Sequence, residues 1–450
     1  MKIKGDKNMK KIFQSLKTVN YKLWLAILVT FLMPTIYKTF RIFLLGSYPN
    51  SSGLDIASQL QWLDLFYEVI QEALILPLFF ILGKYINDKK DFSNKVRGGL
   101  IITIIIYSCL SVFIIIFARP LVKLMAQRPE LVDETVKYIS LETVASLFST
   151  LVKFLTIVLI TIKKDKFIYI TLGIQMILSV VLDIFLVSNL NVSFKTGVNG
   201  IPITNIIVNI VLIIVVSIIL IKENINVFKF SKSSYKWAKE WFHVGKYSGL
   251  ESFLRNLAFM IMIVRMINVV AEQGNYWITN NFIWGWLLLP GLALSDLVKQ
   301  EIAENKKNIE SKTIGYIMLT TIFALVWLLS IPLWKPFLKH VMNVKDYELV
   351  FKIALIQTPF YLLFLYNSNI FDATFYGRGK TNYMLYQSIV IDVFYYGLMF
   401  VLYITKVFKP SIIGISLMFG IGMALDFIPT MILYIRLLRK ENLRLSVIDR

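Results

Sequence analysis

Apolar residues run along this chain in twelve blocks of roughly twenty, separated by short polar turns. A helix rises about 1.5 Å per residue, so each block is long enough to cross ~30 Å of hydrocarbon. The spans predicted lie at 23–45, 60–83, 98–118, 138–162, 167–190, 197–221, 245–270, 276–298, 312–334, 349–376, 382–405 and 411–435.

The pattern repeats. Lys84 to Ile101, KYINDKKDFSNKVRGGLI, returns in altered form from Glu301 to Ile317, EIAENKKNIESKTIGYI. Lys89-Lys90 falls on Lys306-Lys307, Lys95 on Lys312, Gly98 on Gly315 and Lys163 on Lys380, all at an offset of 217. An offset near half the chain means two copies of one unit. An even number of spans per copy preserves orientation, so the copies are parallel. The expected fold is therefore an all-α integral membrane protein: twelve transmembrane helices as two parallel six-helix bundles around a central cavity. Residues 1–221 form the N-terminal bundle, 222–244 a cytoplasmic linker and 245–450 the C-terminal bundle. Repeated bundles meeting at a midplane site are the sequence signature of a secondary transporter.

Composition sharpens this picture. Of 450 residues 57% are hydrophobic, above the roughly 45–50% of soluble domains, and mean hydropathy is +0.66. One cysteine rules out a disulfide framework, and two histidines leave little for a metal site or a histidine-based enzyme. The net charge of +20 is spread through short loops rather than gathered into a patch, so no nucleic-acid partner is expected. With the N-terminus inside, the inner loops and helix ends hold 32 Lys and Arg against 11 outside. The positive-inside rule then puts both termini in the cytoplasm of a bacterial plasma membrane. The linker mixes lysines with aromatics, which suits either a plain connection whose lysines touch anionic headgroups or a short amphipathic helix at the membrane surface. Residues 332–350 look like its outer counterpart. The expected partners are a small-molecule substrate and membrane lipid, with the chain a monomer.

Ionisable residues inside spans are costly, by roughly 2.5–3.5 kcal/mol at the centre, so each one faces a partner or a wet cavity. The first half carries Lys38 and Arg41, then Asp64, Glu68 and Glu72 at spacings of four, then Lys153 and Asp183. That spacing reads as an acidic stripe on helix 2. Arg41 and Asp64 fall at similar depth, giving a cavity lined by both signs. Structural ion pairing accounts for Asp64 and Arg41 as readily as function does, whereas Glu72 and Asp183 lie deeper, where carboxylates carry a coupled proton or cation. The second half has Glu251, Arg255 and Arg265 in helix 7, and Asp296, Asp372, Asp392 and Asp426 further on. Glu251 and Arg255 stand one turn apart and neutralise each other. Asp296 and Asp372 are expected to meet loop lysines. Asp392 and Asp426 either line the cavity or pair with Arg255. Trp277, Trp284 and Trp286 either offer aromatic faces to a cation or pack and anchor the span. Prolines 34, 77, 202, 290, 359 and 429 bend or hinge their helices.

Two short motifs carry a family resemblance. Helix 5 reads SVVLDIFLV, close to the pattern Asn-x-x-Leu-Asp, with Asp183 on the aspartate and Ser179 in place of the asparagine. Helix 6 opens GVNGIPITN, with Asn205 near a polar threonine of the pattern. Together with the six-plus-six arrangement over nearly the whole chain, they make it resemble the multidrug and toxic-compound extrusion (MATE) family, in the superfamily that also holds lipid-linked oligosaccharide flippases. The departures are charged. Where the family has an aspartate in helix 1, FRIFLLG places Arg41. Where some members have a glutamate in helix 7, the register gives Arg255, and the acidic helix-10 position falls near Leu365.

What the resemblance implies is a non-enzymatic, alternating-access antiporter exporting cationic or zwitterionic amphiphilic small molecules. Its coupling and substrate cavity would draw on Arg41, Asp64, Glu68, Glu72, Lys153, Ser179, Asp183, Asn205, Glu251, Arg255, Asp392 and Asp426. It needs no cofactor beyond coupling to H+ or Na+, with a sodium site at Asp183 if there is one. In relatives the helix-1 aspartate neighbours the residue matching Asp183, so Arg41 is expected to pair with Asp183 or Asp64. The alternative is a flippase for an anionic lipid-linked precursor, drawn by Lys38, Arg41, Arg255 and Arg265.

Overall fold

The computed structural model describes residues 14–48, 52–75, 77–83, 85, 88–162, 164–225 and 235–443. Lys84 and Lys163 of the repeat and residues 226–234 of the linker lie outside them. The fold is all helical, with no strand among the described residues. The helices are α1 (Tyr21–Gly46), α2 (Leu60–Ile70, then Gln71–Ile75 and Leu78–Gly83), α3 (Lys89–Ile116), α4 (Val132–Thr161), α5 (Asp165–Leu186), α6 (Gly200–Lys222) and α7 (Ala238–Phe259, then Met260–Val264 and Arg265–Val269). They continue as α8 (Gln273–Phe282, Ile283–Leu287 and Leu289–Glu304), α9 (Asn308–Pro336), α10 (Tyr347–Tyr366 and on to Gly377), α11 (Thr381–Ile389 and on to Ile404) and α12 (Ile412–Lys440).

Among the described residues ten helices are long and apolar enough to span a membrane, and α8 is an eleventh if its two arms, bent by 57°, count as one span. The twelfth expected span, α2, is broken by a π-turn at Gln71–Ile75 and by Pro77. Large apolar side chains stay on the outside of these helices: Leu329 is 79% exposed, Phe394 71% and Ile116 67%. Such surfaces suit acyl chains, not water. This is a multi-pass membrane protein.

Several helices run past the predicted span ends. α3 starts at Lys89 because the Asp88 carboxylate accepts the N–H groups of Lys90 and Asp91, both at 3.0 Å, and caps the first turn. At the matching position of the repeat, Asn305 accepts the N–H of Lys307 at 3.0 Å and ends the turn before α9. From Ala238 the linker is already the first turns of α7, so its described part forms no separate surface helix. Residues 337–341 likewise continue α9.

The prolines behave in two ways. Pro34, Pro359 and Pro429 sit inside helices that continue through them, and Pro202 occupies the first turn of α6, where its missing N–H costs nothing. Pro77 and Pro290 mark real breaks. At each break a tryptophan indole donates to a backbone carbonyl: Trp241 to Leu74 at 2.7 Å, and Trp24 to Pro290 at 3.1 Å. These two tryptophans also stand 217 residues apart.

By contact the chain forms two compact units. One comprises residues 36–277 with 342–345; the other comprises 1–35, 278–341 and 346–450. The 222–244 boundary is thus one of sequence, and contacts divide the chain elsewhere: α7 packs with α2 to α6. Its seat on α2 is close. A Cβ at Gly245 would lie 1.7 Å from the Ala73 carbonyl oxygen, and one at Gly249 would lie 2.7 Å from the Ala73 Cβ. Trp237 and Trp241, stacked at 5.4 Å, extend this contact, and Trp237 packs over Gly98 and Gly99.

Gly245→Ala therefore forces α7 off α2. Its melting temperature in detergent should drop clearly, whereas Gly173→Ala, with nothing within 4 Å of the added methyl, should be neutral or stabilising by up to ~1 kcal/mol.

Candidate functional site

The charged residues of the first half, with α7, gather inside the unit of residues 36–277. At its centre is a cavity of about 300 Å³ lined by Asp64, Tyr67, Glu68 and Gln71 from α2 and by Ser146, Ser149, Thr150 and Lys153 from α4. The cavity walls carry both signs, with Lys153 rather than the expected Arg41 as the cation among the lining residues. Lys153 donates to the Gln71 side chain at 2.7 Å. The charges of Lys38 and Lys153 both act on Asp64.

The α2 wall takes Gln71 where the acidic stripe placed Glu72. Successive α-helical residues turn by about 100°, so a residue eight positions on sits ~80° round from Asp64 and one seven positions on only ~20° away. The four-residue spacing drifts off the face it starts on. Glu72 instead offers its backbone carbonyl to the Ser248 hydroxyl at 2.8 Å. Glu68 keeps its place and also meets α7: Arg255 donates to it at 3.1 Å and to Glu251 at 3.1 Å.

Deeper in the unit, the Arg41 Nε donates to the Asp183 carboxylate at 2.6 Å. Asp183 is fully buried and Arg41 is 8% exposed. The guanidinium also lies 5.3 Å from the Tyr37 ring centroid, a cation–π contact. Ser179, one turn before Asp183, is buried. Sequence reasoning reached this pair only through the family register, since nothing in spacing along one helix joins α1 to α5.

One central residue was not anticipated. Glu142 on α4 is 2% exposed. It accepts a hydrogen bond from the Tyr138 hydroxyl at 3.2 Å, and the Asn205 side-chain amide on α6 donates to its two oxygens at 3.2 and 3.3 Å. The signal was available: Glu142, Ser146, Ser149, Thr150 and Lys153 recur at helical spacing and make a polar face along α4. Glu142 lies close to the predicted start of its span, at the outer boundary, where a carboxylate attracts no notice.

The later acidic residues do other things. Asp426 accepts from the Asn367 amide at 2.9 Å and Asp296 takes Lys299 at 2.8 Å. Asp372, expected to meet a lysine, accepts from Gln387 at 3.0 Å. Asp392 sits in the π-turn Val390–Tyr396 of α11. Arg255, weighed as a partner for Asp392 or Asp426, is held by Glu251 and Glu68. Arg265 donates to the Leu124 carbonyl at 2.9 Å. Trp284 is packed edge-on against Tyr361 and Phe364 and donates to the Tyr361 hydroxyl at 3.0 Å.

The class follows from fold and segment. Residues 80–185 match the MatE family model. The chain has the fold of MATE transporters of the MOP superfamily. At a TM-score of 0.67 and 15% identity it is similar to a MOP superfamily transporter from Pyrococcus furiosus, covering 94% of this chain and 96% of that one. The inward-facing conformation of a multidrug resistance MATE family transporter gives 0.67 at 16%, over 94% and 95%. The outward-facing conformation gives 0.61 at 16%, over 95% and 98%. No curated protein sequence matches the chain.

Breaking one side of the Arg41–Asp183 pair leaves a lone buried charge, which costs roughly 3–5 kcal/mol. Arg41→Ala should lower the folded yield in membranes, and adding Asp183→Asn should partly restore it. Equal yields of the single and double variants, read by size-exclusion chromatography, would show that the pair does not hold α1 to α5.

Proposed function

We propose that this protein is a secondary active exporter that moves cationic or zwitterionic amphiphilic small molecules by alternating access. The observation that carries the reading is the 300 Å³ cavity with Asp64 and Glu68 on one wall and Lys153 on the other. Two carboxylates facing one ammonium complement a molecule with an amine and a weaker anionic or dipolar end, and the volume suits a small ligand. Relatives of the same fold adopt inward-facing and outward-facing states, which supports alternating access. We take residues 1–221 and 245–450 as the two repeats. The protein is taken to act as a monomer in a bacterial plasma membrane, with both termini cytoplasmic, as the lysine and arginine bias directs.

Coupling falls to protons in this reading. A sodium ion at Asp183 would have to share the carboxylate with a guanidinium 2.6 Å away, and like charges at that range repel strongly in a low dielectric. The flippase alternative draws on Lys38, Arg41, Arg255 and Arg265. Arg41 and Arg255 are already neutralised by Asp183, Glu251 and Glu68, which leaves less positive charge for an anionic headgroup. The Pyrococcus furiosus relative, whose binding pocket has reverse polarity suggesting a different function, keeps that alternative as an arm of the test.

Proteoliposomes loaded with ethidium, a cationic dye, should release it under an imposed pH gradient and not under a sodium gradient. Asp64→Asn and Glu68→Gln should each slow release by about tenfold, the size of one lost charged hydrogen bond of ~1.5 kcal/mol. Unchanged release in both variants would remove the cavity from the transport route. Movement of a fluorescent lipid-linked sugar in place of ethidium would establish the flippase.

A further inference from the structure

We propose that Glu142, a residue outside the aspartate motifs of helices 1 and 5, carries the coupling proton; this rests on the export reading and names its coupling site. Within the membrane unit of residues 36–277, Arg41 is committed to Asp183 at 2.6 Å. The direct partners of Glu142 are both neutral: the Tyr138 hydroxyl and the Asn205 amide. A buried carboxylate whose hydrogen-bond donors are all neutral can gain a proton without breaking an ion pair, and neutralising it removes a buried charge. Asp183 is the opposite case, since protonating it would strand Arg41.

The groups acting on Glu142 come from every side. Arg41 acts from α1, Asp64 from α2 and Tyr138 from one turn back on α4. α5 contributes Asp183, which is paired with Arg41, and α6 contributes the neutral Asn205. The Arg41 Nη2 and the Asp183 Oδ1 are both buried without a hydrogen-bond partner. Arg41 therefore has a buried N–H not taken up by Asp183, and its charge acts on Glu142.

The step is a proton transfer alone. One proton from the outer side adds to a Glu142 carboxylate oxygen and makes a neutral carboxyl. It leaves from the same oxygen to the cytoplasm after the cavity has turned inward. Because Glu142 and Asp64 feel each other's charge, neutralising Glu142 removes negative potential from the cavity wall. A cation held at Asp64 and Glu68 is then held less tightly. Proton binding and cation binding become alternatives at one place, which is the requirement of an antiporter.

Two measurements on the full-length protein test this. Infrared difference spectra over a pH titration in lipid should show the C=O stretch of a carboxyl that gains a proton, retained in Asp64→Asn and Glu68→Gln and lost in Glu142→Gln. In proteoliposomes, Glu142→Gln should lose pH-driven ethidium efflux while keeping gradient-free ethidium exchange. Glu142→Asp should restore the driven efflux with a displaced pH profile. If Glu142→Gln does not fold, a shift of the carboxyl band in Glu142→Asp supports the proposal and an unmoved band overturns it. Persistence of the band or of driven efflux in Glu142→Gln also overturns it. A wild type inert to ethidium but with a band that Glu142→Gln removes would overturn the substrate reading while upholding the proton site.

Discussion

The guanidinium of Arg41 is the charge around which the first-half helices are arranged. A cation that cannot shed its proton has been placed inside a membrane span, and it must be answered there. Asp183 answers it from α5 at 2.6 Å, and the Tyr37 ring adds a face from the same helix. Removing two charges from water is expensive, and their attraction repays it only with close geometry and additional partners. The second carboxylate near Arg41, on Glu142, lies among neutral donors. An arginine brought into helix 1 thus accounts for two features at once: a locked Asp183 and an acidic residue on α4.

The same rule, that polar groups in hydrocarbon find partners inside the protein, explains the broken helices. α2 and α8 each carry a π-turn and a proline, and each break receives an indole N–H from a helix packed beside it. Trp241 reaches the α2 break because Gly245 and Gly249 let α7 lie directly on Ala73. That contact makes α7 a companion of α2 and brings Arg255 to Glu68. A cavity carboxylate is thereby tethered to a helix that belongs, by sequence, to the second repeat.

Much of this could be read from the residues. Twelve apolar blocks and a 217-residue offset are one-dimensional signals, and the helices fall on them within a few residues apart from the cytoplasmic and outer turns that caps such as Asp88 extend. Arg41 with Asp183, and Glu251 with Arg255, came from a register and from a one-turn spacing. Glu72 was misplaced on the cavity wall because a spacing of four drifts round a helix, and Gln71 shows the correct face. Glu142 escaped because its meaning depends on Tyr138, Asn205 and Arg41, which only folding brings together. The partners of Asp372 and Arg265 are likewise tertiary facts.

In the export reading proposed above, a fixed positive charge paired with Asp183 does not by itself end cation-coupled transport. In this structure the Asp183 carboxylate is already taken by Arg41 at 2.6 Å. The change of charge that drives the two states apart must then arise at a group whose own neutralisation strands nothing. The charges of Lys38 and Lys153 act on Asp64, and Glu68 is ion-paired with Arg255, so a proton on either gives up an attraction to a nearby cation. Glu142 has no such obligation. Glu142 also lies on the helix that supplies one cavity wall through Ser146, Ser149, Thr150 and Lys153. In the reading proposed above, one helix carries both the proton site and half of the substrate site, which shortens the physical route by which one can sense the other.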